Sequence, residues 1–574
     1  MTINRISMKK IIYIVLLYIV STFSLSAQNI AERVYVSTDK EIYLAGEKVW
    51  MSGFCFKNDG KKISLSDISS LAYVEIYALD KPVLTLKMAL KNGRGSAWAD
   101  LPLTMSTGNY KIIAYTHYMQ NEKPLPYFEK TISIYNTISS ERLSNAVIGK
   151  TDSSFSPSKE IPSACISDFI EIDLPLSGVL ARESHYEWSI LNKQKVPLTL
   201  SVSVFKTDSL LVYNNNTMEE YLESAFKRET EPSSDKFIPE YEGEVIKGKI
   251  APVNGSRYQE LAGHNVFISF PGGNGELYAS KSGENGEVVF YTDNVYGKRE
   301  CVLEVVAKDT TAKFIVELTD PFIHPQITPA ENLMLLPSYY SSLEERSIGM
   351  QLTRRFAADS LFETAEPIHN PLFSDKKRRY MLDDYTRFPV MEEVIIEYVY
   401  ELRARKSNNS AQLLVRWDSD LNASEYSREH TLALVDGIPV FNHKKILDMD
   451  PLKVKSLEIY GDKYFIGNLS FTGIASFNTY NSKYTGLTFD KSVRIVDFEG
   501  AKPSSRLVGK GFETGKYPDF RHTLLWEPVL ELMPSEVKTQ SLRTSAVPGL
   551  YKIVIQGITE SGESVLIVKD FRVE

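Results

Sequence analysis

Short runs of β-branched and aromatic residues, separated by turn-forming residues, constrain the fold of this chain more than any other feature. Between Ala31 and Tyr135 the turn signals are Ala45-Gly46, Asn58-Asp59-Gly60, Lys91-Asn92-Gly93 and Thr107-Gly108-Asn109. The segments between them alternate apolar and polar residues, which is the period of a strand with one buried face. The 574 residues include 32 Tyr and 27 Phe, which strands favour. We therefore predict a mainly β fold with several domains, because the chain is longer than one core usually organises.

The first 27 residues have the pattern of an export signal. Lys9-Lys10 precede the apolar run Ile11–Val20, and small polar residues lead to a predicted cleavage between Ala27 and Gln28. A transmembrane anchor is the alternative, but the apolar run is shorter than the roughly 20 residues that cross a bilayer. We expect no integral membrane span after cleavage. Met8 is an alternative start to Met1, and either start predicts the same compartment.

The charge of the chain argues against nucleic-acid partners. The formal net charge is −8, and it becomes −11 when Arg5, Lys9 and Lys10 leave with the signal. Binding to a nucleic acid requires a positive field, and this composition does not supply one. We predict no nucleic-acid binding.

Residues 28–137 contain three motifs in a fixed order. They are Tyr43-Leu44-Ala45-Gly46-Glu47, the turn Asn92-Gly93, and Gly108-Asn109-Tyr110 leading into an alternating strand. With these motifs the segment resembles a macroglobulin-type β-sandwich of the alpha-2-macroglobulin family. Some members of that family form a thioester within a Cys-Gly-Glu-Gln segment. Here Cys55, Cys165 and Cys301 are followed by Phe, Ile and Val, so covalent trapping is not carried over.

The centre and the end of the chain contain further predicted domains. Beyond a Ser-rich linker at 151–159 we predict a second Ig-like sandwich at 160–215, and Thr217–Arg228 has a helical pattern. Residues 241–322 resemble the carboxypeptidase regulatory-like sandwich, because a Leu-Ala-Gly step and the turn Gly283-Glu284-Asn285-Gly286 separate alternating strands. Charged helix formers at 335–400 predict a helical connector. Pro548-Gly549-Leu550-Tyr551 opens an alternating strand, so 495–574 is predicted to be a C-terminal macroglobulin-like sandwich.

Residues 401–482 contain an ordered set of short motifs. They are LVDGIPV at 434–440, Asp450-Pro451, the strand Val454–Tyr460 and the returning strand Gly473–Phe477. With these motifs the segment resembles the plug domain of a TonB-dependent outer-membrane receptor. Asp436-Gly437 is predicted to form a hairpin turn, since Gly accepts positive φ. Only 94 residues follow Tyr480, whereas a 22-stranded barrel needs roughly 220. We therefore expect no barrel to accompany the plug-like segment, and the stretch Asp462–Thr472 departs from the plug pattern as an insertion.

One polar segment is a near match to a calcium-binding loop. Asp418, Asp420, Asn422 and Glu429 occupy ligand positions, but Ala423 stands where the sharp turn needs Gly. A plain polar loop is the favoured interpretation, and no cofactor is predicted. The eight His residues are dispersed, and no motif of a hydrolase elbow, a phosphate loop or a zinc protease is present. We therefore predict that the protein is not an enzyme.

These resemblances together point to a Bacteroidetes envelope family that combines macroglobulin-like domains with a receptor-plug-like module. They imply an exported protein in the periplasm or at the outer-membrane surface of a Gram-negative bacterium. The expected function is a non-catalytic scaffold or binding protein acting through protein–protein or protein–glycan contacts. Two alternatives are an accessory component of a TonB-dependent nutrient-uptake system and a macroglobulin-like protease trap without thioester. The expected partner is an envelope protein, with an outer-membrane barrel among the candidates.

Overall fold

The computed structural model describes residues 30–574 with gaps at 150–167, 174–177, 209, 211–214, 254–259, 273–275, 294, 310–311, 357–361, 366–372, 374–376, 408–409, 417–425, 427–430 and 508–518. Strands dominate the described residues, which confirms the predicted mainly β class. No helix among them is both long and apolar enough to cross a membrane.

The N-terminal strands are β1 Ala31–Thr38, β2 Ile42–Leu44, β3 Lys48–Asn58, β4 Ile63–Leu65, β5 Leu71–Ala78, β6 Lys81–Lys91, β7 Arg94–Asp100, β8 Gly108–Tyr115, β9 Glu122–Lys123, β10 Phe128–Tyr135, β11 Ala146–Ile148, β12 Ile170–Asp173, β13 Val179–Leu180, β14 His185–Asn192 and β15 Leu198–Lys206. The central strands are β16 Glu231–Pro232, β17 Val245–Pro252, β18 Asn265–Phe270, β19 Glu276–Lys281, β20 Glu287–Tyr291, β21 Lys298–Val306, β22 Phe314–Leu318, β23 Leu333–Leu335, β24 Phe362–Thr364 and β25 Arg378–Met381. The remaining strands are β26 Leu402–Ser407, β27 Ser410–Val415, β28 Leu432–Val435, β29 Ile438–Pro439, β30 Val454–Ile466, β31 Leu469–Thr479, β32 Arg494–Glu499, β33 Ser505–Leu507, β34 Thr523–Leu532, β35 Val537–Arg543, β36 Gly549–Thr559 and β37 Ser564–Val573.

The helices within the described ranges are few and mostly short. They are α1 Met218–Ala225, α2 Tyr340–Phe356, α3 Met391–Tyr398 and α4 Lys444–Leu447, with 3-10 turns at Tyr118–Asn121, Pro337–Tyr339, Leu382–Asp384 and Pro451–Lys453. The predicted helix at 217–228 is confirmed as α1. Thr217 caps it in a capping box with Glu220, which satisfies backbone N–H groups that the first turn leaves unpaired.

Sandwich 1 contains β1 to β8 and β10, in the order β1-β3-β7-β6-β5-β8-β10-β2 with β4 on β3. Its core is apolar, with Val34, Phe54 and Ile112 fully buried. The predicted turn Asn92-Gly93 joins β6 to β7, and both residues have positive φ, of 52° and 73°. A Cβ on Gly93 would lie 2.6 Å from the carbonyl oxygen of Cys55, so only glycine fits there.

Sandwich 2 is discontinuous in sequence, which corrects the predicted separate sandwiches at 160–215 and 495–574. Its larger sheet has the order β13-β37-β36-β15-β34-β33-β24, and its smaller sheet is β12-β14-β35. β15 lies between β34 and β36 and is antiparallel to both. One core includes residues from both segments, such as Val202 and Ile555. The sequence had shown two sets of strands, but neither set has enough strands to close a core by itself.

Sandwich 3 packs the sheet β20-β17-β22 against the sheet β19-β18-β21-β32. Most of its strands lie in the predicted domain 241–322. The final strand, β32, comes from 494–499 and pairs with β21 along its length, and Phe498 enters the sandwich 3 core. The start of the predicted C-terminal domain therefore belongs to sandwich 3.

An α/β module lies between β22 and β32 in the chain. Its sheet has the order β25-β30-β31-β28-β29, and α3, α4 and the hairpin β26–β27 cover one face. α3 was predicted to belong to the helical connector at 335–400. Instead its buried residues Val394 and Ile395 pack in the same core as Leu457, because its apolar side needs the sheet for burial.

The second face of the module's sheet is covered by sandwich 3. Leu434 and Ile474 of the module share an apolar cluster with Phe267 and Leu277 of sandwich 3. The insertion-like stretch 462–472 extends the β30–β31 hairpin over this contact, and a Cβ on Gly467 at its tip would lie 2.3 Å from the carbonyl oxygen of Ala279. The sheet of the module has two apolar faces, and sandwich 3 buries the one that the helices do not cover.

Candidate functional site

Only one of the predicted sites lies in the described part of the chain. The calcium-loop residues Asp418, Asp420, Asn422 and Glu429 and the cleavage residues Ala27 and Gln28 all lie outside the described residues. Asp436 and Gly437 are described, and their geometry follows.

Asp436 and Gly437 form the predicted hairpin turn between β28 and β29. Both residues have positive φ, 50° and 87°, and Val435 pairs with Ile438 across the two-residue loop. The buried Asp436 carboxylate accepts hydrogen bonds from Thr479 N at 2.7 Å, Thr479 Oγ1 at 2.5 Å and Tyr484 N at 2.6 Å. These bonds fasten the turn to the end of β31, so the side chain has a structural role.

The larger of two notable clefts lies where sandwich 1, sandwich 2 and α2 meet, and we call it the junction cleft. It has a volume of about 630 Å³. Sandwich 1 contributes Lys48, Trp50, Trp98 and Asp100 to its walls; α2 contributes Gly349, Met350, Thr353 and Arg354; and sandwich 2 contributes Phe362, Leu507 and Thr523. Three parts of the chain that are distant in sequence therefore build one concave surface.

The sandwich 1 wall of the junction cleft is a ladder of cross-strand pairs on β3 and β7. Lys48 pairs with Asp100, Trp50 with Trp98, and Ser52 with Ser96. Since side chains two residues apart share one face of a sheet, all three pairs point the same way. At the serine end the face contacts sandwich 2, where Ser52 Oγ donates to the carbonyl of Pro528 at 2.6 Å. The tryptophan and lysine end remains open to the cleft.

Three aromatic rings surround the ammonium group of Lys48. Its Nζ lies 3.6 Å from the ring centroid of Trp98, 5.2 Å from that of Phe362 and 5.7 Å from that of Trp50. Asp100 Oδ1 is 2.7 Å away. The rings themselves are held by packing, because Trp50 shares a small apolar cluster with Leu507 and the buried Trp526.

The floor of the junction cleft is a buried polar network. Asp39 accepts hydrogen bonds from Tyr43 Oη at 2.7 Å, Trp50 N at 3.2 Å and Thr523 Oγ1 at 2.8 Å, and burial raises the pKa of its carboxyl. Lys40 pairs with Glu47 at 3.1 Å. Arg346 of α2 pairs with Asp208 and donates to the carbonyl of Ile42 at 3.1 Å.

A second ionic contact extends this network into sandwich 2. Glu345 of α2 lies beside His522 and Lys206. These two neighbours lower the pKa of Glu345 to about 2 despite partial burial. The Lys206–Glu345 ion pair thereby links α2 to sandwich 2 beside the cleft.

A smaller cleft of about 560 Å³ separates sandwich 1 from sandwich 3, and we call it the sandwich cleft. Lys87 on its wall pairs with both carboxylate oxygens of Glu244, at 2.6 and 2.7 Å, and lies 4.4 Å from the ring centroid of Phe498. Tyr73 also lines it and donates to Glu240 Oε1 at 2.9 Å. Burial raises the pKa of Glu240 to about 7.

Both clefts therefore contain convergent titratable groups, and the prediction that the chain is not an enzyme stays a prediction. Among the residues that the structure describes, no group of three or more His, Cys, Asp or Glu side chains is placed to hold a metal ion. The geometry of the junction cleft, with partly exposed Trp98 and Phe362 and charged groups above a buried polar floor, suits binding.

The sequence did not reveal either cleft. Trp50, Trp98 and Trp526 stand in three alternating segments, and each alone has the pattern of an ordinary core residue. The sequence signal was that Lys48 and Trp50, like Trp98 and Asp100, are two residues apart and so lie on one face of their strand. Only the register of β3 against β7 shows that the two tryptophans face each other.

Comparisons with known proteins give a fold-level likeness only. No protein-family model matches the chain, and no curated protein matches it. Among solved structures, it is similar to trypsin-activated alpha-2-macroglobulin from Escherichia coli, with 9% identity and a TM-score of 0.23 over 95% of this chain and 41% of that one. Salmonella alpha-2-macroglobulin reacted with methylamine gives 10% identity and a TM-score of 0.23 over 95% and 39%. A tetra-tandem repeat from the extending region of a large adhesion protein gives 6% identity and a TM-score of 0.12 over 95% and 100%.

The chain thus spans less than half the length of the macroglobulins that it matches. The TM-scores of these similarities are below 0.5, and the macroglobulin-like resemblance seen in the sequence stays a prediction. The carboxypeptidase regulatory-like and plug-like resemblances stay predictions.

Proposed function

We propose that the protein is an exported, non-catalytic envelope scaffold or binding protein, which acts through protein–protein or protein–glycan contacts at the outer membrane. The observation that carries this proposal is the junction cleft with its aromatic wall. Aromatic side chains with adjoining charges are enriched where proteins bind partners, because they combine a large apolar area with oriented polar groups.

The construction of the cleft supports a binding role. Trp50 and Trp98 are held as a cross-strand pair, and Phe362 packs edge-on against Trp50 at 5.5 Å. Side chains that are already ordered lose little entropy when a ligand arrives. Lys48, Asp100 and the exposed Arg354 at the rim supply donors and an acceptor that can orient a polar ligand.

Site-specific photo-crosslinking in the native envelope tests the proposal. A photoreactive residue in place of Thr353 reports on the cleft, and the same residue in place of the exposed Lys195 in the β14–β15 loop is the control position. We expect position 353 alone to give adducts with an envelope protein or glycan. Adducts should disappear when Trp98→Ala is added, and they should persist when Phe465→Ala removes an exposed aromatic ring from the α/β module.

The outcome separates the alternatives. Identical adducts from positions 353 and 195, or none from either, would overturn the binding role of the cleft. Recovery of an outer-membrane barrel would favour the nutrient-uptake alternative. Cleavage of the chain by added proteases with the protease retained would favour a trap.

A further inference from the structure

Residues 319–327, which we call the strap, follow β22 and cross the surface of sandwich 1. Phe322, Ile323 and Ile327 pack against the sandwich 1 core. Ile323 N donates to Tyr115 Oη at 2.8 Å, and Tyr77 Oη donates to the carbonyl of Pro325 at 3.2 Å. The strap is thus docked by its own contacts and not by pairing in a sheet.

His324 fastens the strap to a buried carboxylate. Its Nδ1 lies 2.6 Å from Glu75 Oε2, and its Nε2 lies 3.3 Å from Asp320 Oδ2. The Glu75 side chain is 0% exposed, whereas that of His324 is 38% exposed. Tyr115 Oη donates to the other oxygen of Glu75 at 2.6 Å. Among the described residues, His324 is the cationic group paired with this carboxylate.

The strap also forms one wall of the sandwich cleft. Pro321, Phe322 and Ile323 line it beside Tyr73, and the rings of Phe322 and Tyr73 make an edge contact at 5.5 Å. Tyr73 is 1% exposed while the strap is docked. Undocking the strap would widen this cleft and expose Tyr73.

We propose that the strap is a pH-sensitive gate on the sandwich cleft, docked while His324 is charged between Glu75 and Asp320 and released when His324 becomes neutral. The groups that face His324 are Glu75 on β5 and Asp320 on the strap, and behind Glu75 stand Tyr77 on β5 and Tyr115 on β8. All of them are acidic or neutral. A neutral His324 leaves Glu75 buried with neutral donors only, and a buried charge without an opposite charge is unfavourable.

The direction of the pH response follows from the charges. Partial burial lowers the pKa of His324, but the hydrogen bond and charge of Glu75, with those of Asp320, raise it above the usual 6.5. A folded-state pKa above the unfolded value stabilises docking below the unfolded value. That stabilisation is lost as the pH rises through the folded pKa, so the gate opens on the alkaline side.

Hydroxyl-radical footprinting of the full chain between pH 6 and pH 9 measures the gate directly. We expect oxidation of Tyr73 and Phe322 to rise at least several-fold with pH in the unmodified chain, after normalisation to Tyr291, an exposed tyrosine. In His324→Gln, which keeps a polar side chain but is never charged, oxidation should be high at every pH. Hydrogen exchange of the strap peptide should follow the same profile.

Glu240→Gln is the second arm, because Glu240 also contacts Tyr73 and titrates in the same range. The strap response should persist in this variant. An unmodified chain whose Tyr73 and Phe322 oxidation does not change with pH would overturn the proposal. So would a response that survives in His324→Gln but disappears in Glu240→Gln, since it would assign the opening to Glu240.

Discussion

Glu240→Gln should make the stability of the protein less dependent on pH. Glu240 lies between sandwich 1 and sandwich 3, is 1% exposed, and accepts hydrogen bonds from Tyr73 Oη and Val245 N through one oxygen, at 2.9 Å each. Its other oxygen is buried without a hydrogen-bond partner among the described residues. That oxygen can carry a proton, and burial disfavours the charged carboxylate more than its hydrogen bonds and Lys87 favour it.

The magnitude follows from the pKa. Burial raises the pKa of Glu240 from 4.5 to about 7, so the folded protein holds a proton that the unfolded chain has released. The free energy of unfolding therefore falls as the pH rises from about 4.5 to about 7. At 1.36 kcal/mol per pH unit, the full loss is about 3 kcal/mol. Glutamine keeps the acceptor but cannot ionise, while its buried N–H group costs about 1–3 kcal/mol at all pH values.

The diagnostic quantity is the difference between the unmodified chain and the variant at each pH. Urea denaturation followed by circular dichroism at pH 5, 6, 7 and 8 measures it. We expect the difference to change by about 2.5 kcal/mol in favour of the variant between pH 5 and pH 8, because part of the full loss already occurs below pH 5. Glu229→Gln, at an exposed position, should show no such change. A constant difference between Glu240→Gln and the unmodified chain across this range would refute the reasoning.

Three further substitutions test the packing. Asp436→Asn tolerates the same positive φ but weakens the acceptor for Thr479, so we expect a loss of about 1–3 kcal/mol in thermal denaturation; an unchanged midpoint would contradict the structural role of the carboxylate. Gly467→Ala should loosen the contact between sandwich 3 and the α/β module and speed amide hydrogen exchange at that contact. The control is Gly178→Ala, because Gly178 also has positive φ but has open space around it, and it should not have this effect. Equal effects of the two substitutions would show that backbone strain alone is responsible. Lys48→Met should lower the free energy of unfolding by about 1–2 kcal/mol, because the cation–π contacts are lost. It should also change the tryptophan fluorescence, since three of the five tryptophans lie in or beside the junction cleft. An unchanged emission spectrum would show that the Lys48 ammonium group does not contact the tryptophan rings.

Local features were predictable from the sequence, and long-range partners were not. The turns at Asn92-Gly93 and Asp436-Gly437 and the capped helix α1 are as expected, because φ preferences and capping act over a few residues. The prediction that β15 belongs to a separate sandwich was wrong, because an alternating pattern identifies a strand but not the strands that pair with it. β32 was assigned to the wrong sandwich for the same reason.

The junction cleft could not be predicted because it depends on three such pairings at once. Trp50 meets Trp98 only when β3 and β7 adopt their register, and Phe362 reaches them only after β24 joins sandwich 2 through β33. The sandwich cleft likewise requires Glu240 to approach Tyr73 across 167 positions of sequence. The sequence shows the apolar pattern of each strand, but it does not show which strands from distant segments pack together to form the clefts.

The discontinuity of sandwich 2 has a consequence for the order in which the protein is made. Ser201 on β15 donates to the carbonyl of Gln556, 355 residues further along the chain, so the middle strand of the sheet has no lasting neighbour while the intervening residues are synthesised. Both edges of an apolar strand are then open to pairing with other molecules, which is an aggregation hazard. We therefore expect the newly made chain to be most prone to aggregation until β34 and β36, the neighbours of β15, have been synthesised.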